Sequence, residues 1–174
     1  MVEGHTDETT AAILDSQSVK TTGKGEDRGY DAGKHIKGRK RFLVVDTLGF
    51  ILCSLVVGAN WSESAGGCES IHMAKEQFPT LQKIWADSGY RGSLVEYAAQ
   101  WCTIDLEIVR PKQDQQGFVA QRKRWIVERI YSWLNWWRRL SKDYETTIKS
   151  SESMITVASI RMLLKRIHKA IHVI

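Results

Sequence analysis

The sequence predicts an α/β (α+β) protein: a mixed β-sheet flanked by helices, with a C-terminal helical extension. Three observations carry that expectation. Runs of β-branched and aromatic residues crowd the first 60 positions, strand-like and helix-like segments then alternate to residue 109, and after Gly117 neither glycine nor proline interrupts the chain. A chain of 174 residues is long enough for one domain with a real core and no disulfides.

The elements follow in order. Residues 1–12 form a polar tail. "AAILDSQSV" (11–19) reads as a strand with Asp15 inside it, and "KTTGKGEDRGYDAGKHIKG" (20–38) as a loop rich in glycine and charge. "RFLVV" (41–45) and "FILCSLVV" (50–57), on either side of "DTLG", predict a β-hairpin and so an antiparallel meander. Residues 66–82 have helical apolar spacing with Pro79 near their end. "KIWADSGYRG" (83–92) is a short strand closing in a glycine turn, "SLVEYAAQW" (93–101) a helix capped by Ser93, and "CTIDLEIV" (102–109) an alternating strand stopped by Pro111.

From Phe118 onward the chain is expected to be helical, broken around "SKDYETT" (141–147). In the first helix Ile126, Ile130, Trp133, Trp137 and Leu140 line up as a buried stripe. Trp125 and Trp136 fall off that stripe, which leaves exposure, packing on another element and stacking on bases all open. In the second helix Ile160, Leu163, Leu164, Ile167 and Ile171 share a face. The domain plan is therefore a tail (1–12), an α/β unit (13–145) and a C-terminal helix (146–174).

Composition narrows the function classes. No run of about 18 apolar residues is present, so a membrane span is not expected, and the acidic start "MVEGHTDETT" is unlike a signal peptide. Cys53, Cys68 and Cys102 are scattered, as reduced cytosolic thiols are. His168 and His172 share a helix face without the neighbouring Cys or carboxylate a zinc site needs. The net charge of +5 is unevenly spread: residues 110–149 hold ten Lys/Arg against four Asp/Glu, while residues 1–31 hold three against seven. A basic block of that kind fits either a polyanion partner or a solvated helix face.

Three acids stand where chemistry is plausible. Asp15 lies inside the first strand, Asp87 at the end of an apolar strand, and Glu128 on the long helix. Helical spacing puts Glu128 on a polar face with Arg124, Tyr131, Asn135, Arg139 and Lys142. Each acid also has a plain structural explanation, as a turn cap, an Asx-turn or an i−4 partner of Arg124. Spacing alone does not join them.

The motifs "DSQSVKTT", "RGYDAGKHIKGRKRFLVVDTLG", "ADSGYRG" and "RWIVERIYSWLNWWRRLSKDYE" resemble, in that order, the catalytic domain of bacterial insertion-sequence transposases of the DDE class, over residues 13 to 145. The resemblance implies an RNase-H-like fold in which Asp15, Asp87 and Glu128 are catalytic and bind divalent metal. It implies Mg²⁺ or Mn²⁺, two ions, for which hard oxygen ligands without His or Cys are suited. The implied chemistry is hydrolysis at the element's 3′ ends and transesterification into target DNA. Expected partners are double-stranded DNA (terminal inverted repeats and target) and a second copy, in a homodimer or higher assembly on DNA. The expected location is the bacterial cytoplasm, with the nucleoid. Arg124, Arg138, Arg139 and Lys142 are expected to meet phosphates, as are Lys37, Arg39 and Lys40 of the basic segment "HIKGRKR".

The sequence departs from the family pattern at several points. Gln121 stands where many relatives have Tyr, Asn135 where they have Lys, and Glu63 where they often have Asp. Only about a dozen residues precede the first strand, whereas such transposases carry an N-terminal DNA-binding segment. A downstream reading frame, a remnant and a separate N-terminal DNA-binding polypeptide all fit that shortness. Two alternatives to the enzyme accordingly stand beside it: a catalytically silent DNA-binding or regulatory fragment, and an RNase-H-like nuclease acting on other DNA structures.

Overall fold

The computed structural model describes residues 8–23, 25–109 and 123–172. The start of the tail and the stretch holding Pro111, Gly117, Phe118 and Gln121 lie outside the described residues. The elements are β1 (Ala11–Lys20), β2 (Gly29–Asp31), β3 (Ile36–Asp46), β4 (Ile51–Gly58), α1 (Glu63–Gln77), β5 (Lys83–Ala86), a 3-10 turn (Ser88–Tyr90), α2 (Ser93–Cys102), β6 (Asp105–Ile108), α3 (Arg124–Asn135) and α4 (Ile148–Ile171).

β1 is central. It pairs antiparallel with β3 on one side and parallel with β5 on the other, and β6 extends the parallel half. β2 and β4 share the outer edge of β3. The mixed sheet and its helices are as the sequence predicts. The glycine-rich segment 20–38 is more ordered than a plain loop, because it contains β2 and the start of β3. The hairpin turn is held by its own chemistry: the Asp46 carboxylate accepts from the amides of Leu48 (2.9 Å) and Phe50 (2.7 Å), and Gly49 takes φ +86°, a region open to glycine.

Strand alternation divides the core between the two sheet faces. Ala12, Leu14, Phe42 and Val44 point to the face covered by α1 and α2. Ile13, Leu43, Val45 and Trp85 point to the face covered by α3 and α4. α1 lies close to the sheet because Gly66 sits against the Phe42 ring, where a Cβ would fall 2.2 Å from Cζ. On the other face α3 buries Ile126, Val127, Ile130, Tyr131 and Leu134.

The long helix ends at Asn135, six residues before the expected break. No proline or glycine marks that point; buried charges do. Arg39 and Arg41, both fully buried on β3, reach into the segment after α3. Arg41 donates to the Leu140 carbonyl (2.8 Å), while Arg39 donates to the carbonyls of Glu145 (2.9 Å) and Thr146 (2.8 Å) and pairs with Asp143 (3.2 Å). Ser151 of α4 donates to the other Asp143 oxygen (2.6 Å). α4 then packs Ile155 and Ala158 on the core and turns its opposite face, with Val157, Ile160, Leu164, Ile167 and Ile171, to solvent. The apolar face foreseen for this helix is mostly exposed.

Candidate active site

The strand period places two of the three acids. Ile13 is the register partner of Trp85 across the parallel β1–β5 pair, and both point toward α3. Two residues further on, on the same face, stand Asp15 and Asp87. Asp15 is still within β1, its carboxylate accepting from the Ser16 amide (2.8 Å). Asp87 caps the 3-10 turn, accepting from the Gly89 amide (2.8 Å). The predicted strand 83–92 thus stops at Ala86, and the turn that follows aims Asp87.

Glu128 arrives from α3. Val127, Ile130, Tyr131 and Leu134 fix the helix against the sheet, and Glu128 stands beside them at the margin, half-exposed. Tyr131 was expected on the polar face. It is instead buried, and its hydroxyl donates to the main-chain oxygens of Asp15 (2.8 Å) and Arg41 (3.0 Å). The signal for this was present: Val127, Ile130, Tyr131 and Leu134 at i, i+3, i+4 and i+7 form a better apolar stripe than one running through Trp133 and Trp137. Those two tryptophans are only partly buried, packed at the edge of the core.

All three acids converge on one guanidinium. Arg124 Nη2 lies 3.8 Å from Asp15 Oδ2, 3.6 Å from Asp87 Oδ2 and 3.6 Å from Glu128 Oε1. Burial pushes Asp15 up to about 6, against the pull of the Ser16 amide and Arg124, and Asp87 adds to the rise. The Tyr90 hydroxyl is buried near these acids, and its pKa is raised by burial first, against the pull of the Ser16 side chain, with the charges of Asp15, Asp87 and Glu63 adding to the rise. Among the described residues no group of three or more His, Cys, Asp or Glu is close enough to hold a metal ion as it stands. The carboxylates surround a cation that the chain itself supplies.

The basic residues divide. Lys37, Arg138, Arg139 and Lys142 are exposed, and Arg139 is paired with Glu145 (2.6 Å). Because α3 ends at Asn135, Arg138, Arg139 and Lys142 lie in the turns after the helix, not along its polar face. Arg39 and Lys40 are corrections to the expected phosphate contacts. Arg39 is buried in the Asp143 cluster, and Lys40 is buried between the Trp61 carbonyl (2.6 Å), Glu63 (3.2 Å) and Asp31 (3.8 Å). A strand whose side chains reach inward in this way has no cation left for a phosphate at those positions.

The model of the transposase DDE domain family matches residues 6–163. Among solved structures, a chain of the simian T-cell lymphotropic virus intasome in complex with PP2A regulatory subunit B56 gamma superposes with a TM-score of 0.55 at 13% identity, over 87% of this chain and 47% of that one. A chain of the piggyBac transposase synaptic complex with hairpin DNA aligns at 16% identity over 67% of this chain and 27% of that one, at a TM-score of 0.41. The chain spans under half the length of either solved chain. No curated protein matches the sequence significantly. The fold is RNase-H-like, as the sheet order and the first of these superpositions show. With a match that runs past all three acids, the chain belongs to the transposase DDE domain family.

Proposed function

We propose that this chain is the catalytic domain of a DNA transposase, which cuts element ends and joins the freed strands to target DNA. One observation carries the reading: acids from β1, from the end of β5 and from α3 surround a single cationic position, each within 3.8 Å of Arg124 Nη2. Such a set suits a hard divalent cation, Mg²⁺ or Mn²⁺, because it offers only carboxylate oxygens and needs positive charge at its centre. A bound ion of this kind lowers the pKa of a hydroxyl and steadies charge on phosphate oxygens.

The chain's own residues do the rest. Asp15, the most buried of the three, is proposed as the central ligand. Tyr131 holds the Asp15 main chain and α3 in one frame, so that Glu128 is positioned before substrate arrives. Arg124 partly offsets the charge of the three acids, and with an ion held by those acids its guanidinium would be available to a DNA phosphate. Lys37, Arg138, Arg139 and Lys142 are the exposed cations proposed to meet the duplex backbone. Joining two ends calls for at least two copies on DNA. No helix among the described residues is long and apolar enough to cross a membrane.

The test is cleavage of end-labelled element-end and unrelated duplex DNA in Mg²⁺ or Mn²⁺, comparing the chain with Glu128→Gln. Nicking at element ends that Glu128→Gln abolishes supports the transposase reading. Nicking without preference for ends favours a general nuclease, and no nicking by either form favours a silent DNA-binding fragment.

A further inference from the structure

The end of α3, the turns after it and the outer half of α4 enclose a cleft of about 640 Å³, of which the catalytic reading uses only Arg138. One wall holds three indoles, Trp133, Trp136 and Trp137. The cations around them are Arg138 from the same turns and Arg161, Lys165, Arg166 and Lys169 from α4. No carboxylate lines the cleft, and α4 has no Asp or Glu after Glu152. None of the five cations forms an ion pair with a described carboxylate.

The guanidiniums are nonetheless held in place. Arg161 lies 5.0 Å from the Trp137 ring, and Arg166 lies 5.6 Å from the Trp133 ring and 4.7 Å from Phe50. Arg166 also donates to the Leu48 carbonyl (2.9 Å). Trp136 is different: it is 88% exposed, the most exposed large apolar side chain described. Fixed, uncompensated cations favour an anion, and open indole faces favour flat apolar groups. A ligand that alternates the two is a nucleic-acid strand with its bases unpaired. A duplex offers its phosphates but keeps its base faces stacked inside.

We infer that this cleft binds unpaired DNA nucleotides, with a base on Trp136 and phosphates on Arg161 and Lys165. The choice of DNA rests on the transposase reading, since Trp133 lies five residues beyond Glu128 on the same helix, about 8 Å along its axis. The cleft's chemistry is independent of that reading.

The experiment is fluorescence anisotropy of a labelled 15-mer of oligo-dT and of a duplex of equal length. It is run with EDTA, so that the three acids hold no metal, at several salt concentrations. Trp136→Ala, whose side chain is almost wholly in solvent, is the main variant, with its fold checked by circular dichroism. It is expected to weaken oligo-dT binding roughly ten-fold and to leave duplex binding unchanged. Lys165→Glu is expected to weaken oligo-dT binding and flatten its salt dependence. Equal oligo-dT binding by wild type and Trp136→Ala overturns the inference. So does Trp136-dependent binding of a Glu-Tyr copolymer without oligo-dT binding, which assigns the cleft to an acidic protein partner. Duplex cleavage lost in Glu128→Gln, alongside Trp136-independent oligo-dT binding, overturns the cleft and leaves the catalytic reading standing. Trp136-dependent oligo-dT binding without metal-dependent cleavage does the reverse.

Discussion

The hydroxyl of Tyr131 donates to the main-chain oxygen of Asp15 at 2.8 Å, joining positions 116 apart in the chain. It ties the helix bearing Glu128 to the strand bearing Asp15, and it shares its proton with the Arg41 carbonyl. Tyr131→Phe keeps the ring and removes only the bond. The variant is expected to fold, to lose about 1–3 kcal/mol of stability because two buried carbonyls lose a donor, and to cleave DNA more slowly. Urea unfolding and single-turnover cleavage check the two parts.

Buried and exposed ion pairs should separate sharply. Asp143→Ala leaves the guanidiniums of Arg39 and Arg41 buried without their carboxylate and is expected to cost about 3–5 kcal/mol. Arg139→Ala removes a pair whose arginine is well exposed, and is expected to cost less than about 1 kcal/mol. Urea midpoints of the two variants test the contrast, and similar costs contradict the tethering role of Asp143.

Gly66 is a packing requirement. A methyl group there meets the Phe42 ring at 2.2 Å, and no flexible end is available to move aside. Gly66→Ala is expected to destabilise by about 1–3 kcal/mol despite its better helix propensity. A thermal melt in which the variant gains stability contradicts this packing.

Asp31 sets a pH dependence. Burial alone raises its pKa, but the Ser18 hydroxyl (2.5 Å), the Lys34 amide (3.0 Å) and Lys40 (3.8 Å) together hold it below the ordinary carboxylate value. A depressed folded-state pKa contributes stability that is present above the unfolded value near 4 and is lost as pH falls through the folded one. Asp31→Asn is therefore expected to cost about 1–3 kcal/mol at pH 7, with the gap to wild type closing below about pH 4. Urea unfolding from pH 7 to pH 3 measures this, and a gap that widens in acid contradicts the sign.

The three acids stand out in the sequence through the motifs that hold them and not through their spacing, and the Ile13–Trp85 register explains why Asp15 and Asp87 lie near the same guanidinium. The positions of Arg39, Lys40 and Arg41 were not legible. Charges in a strand read as surface, but the return of residues 140–147 to the sheet gives Arg39 and Arg41 buried partners, and Lys40 finds its own in Trp61, Glu63 and Asp31. The same return ends α3 at Asn135 without a proline or glycine, so the expected helix ran too long. In α4 the periodicity of Ile160, Leu163, Leu164, Ile167 and Ile171 predicts one face, but it does not say what covers that face, and most of it is exposed.

Asp15, Asp87 and Glu128 are proposed to form one cation site. The most direct measurement is Mn²⁺ binding followed by electron paramagnetic resonance, without DNA, for the wild type and for Asp15→Asn, Asp87→Asn and Glu128→Gln. Each neutralised acid is expected to weaken binding roughly ten-fold or more while circular dichroism stays native. Undiminished Mn²⁺ binding in all three folded variants would place the cation elsewhere and contradict that proposal.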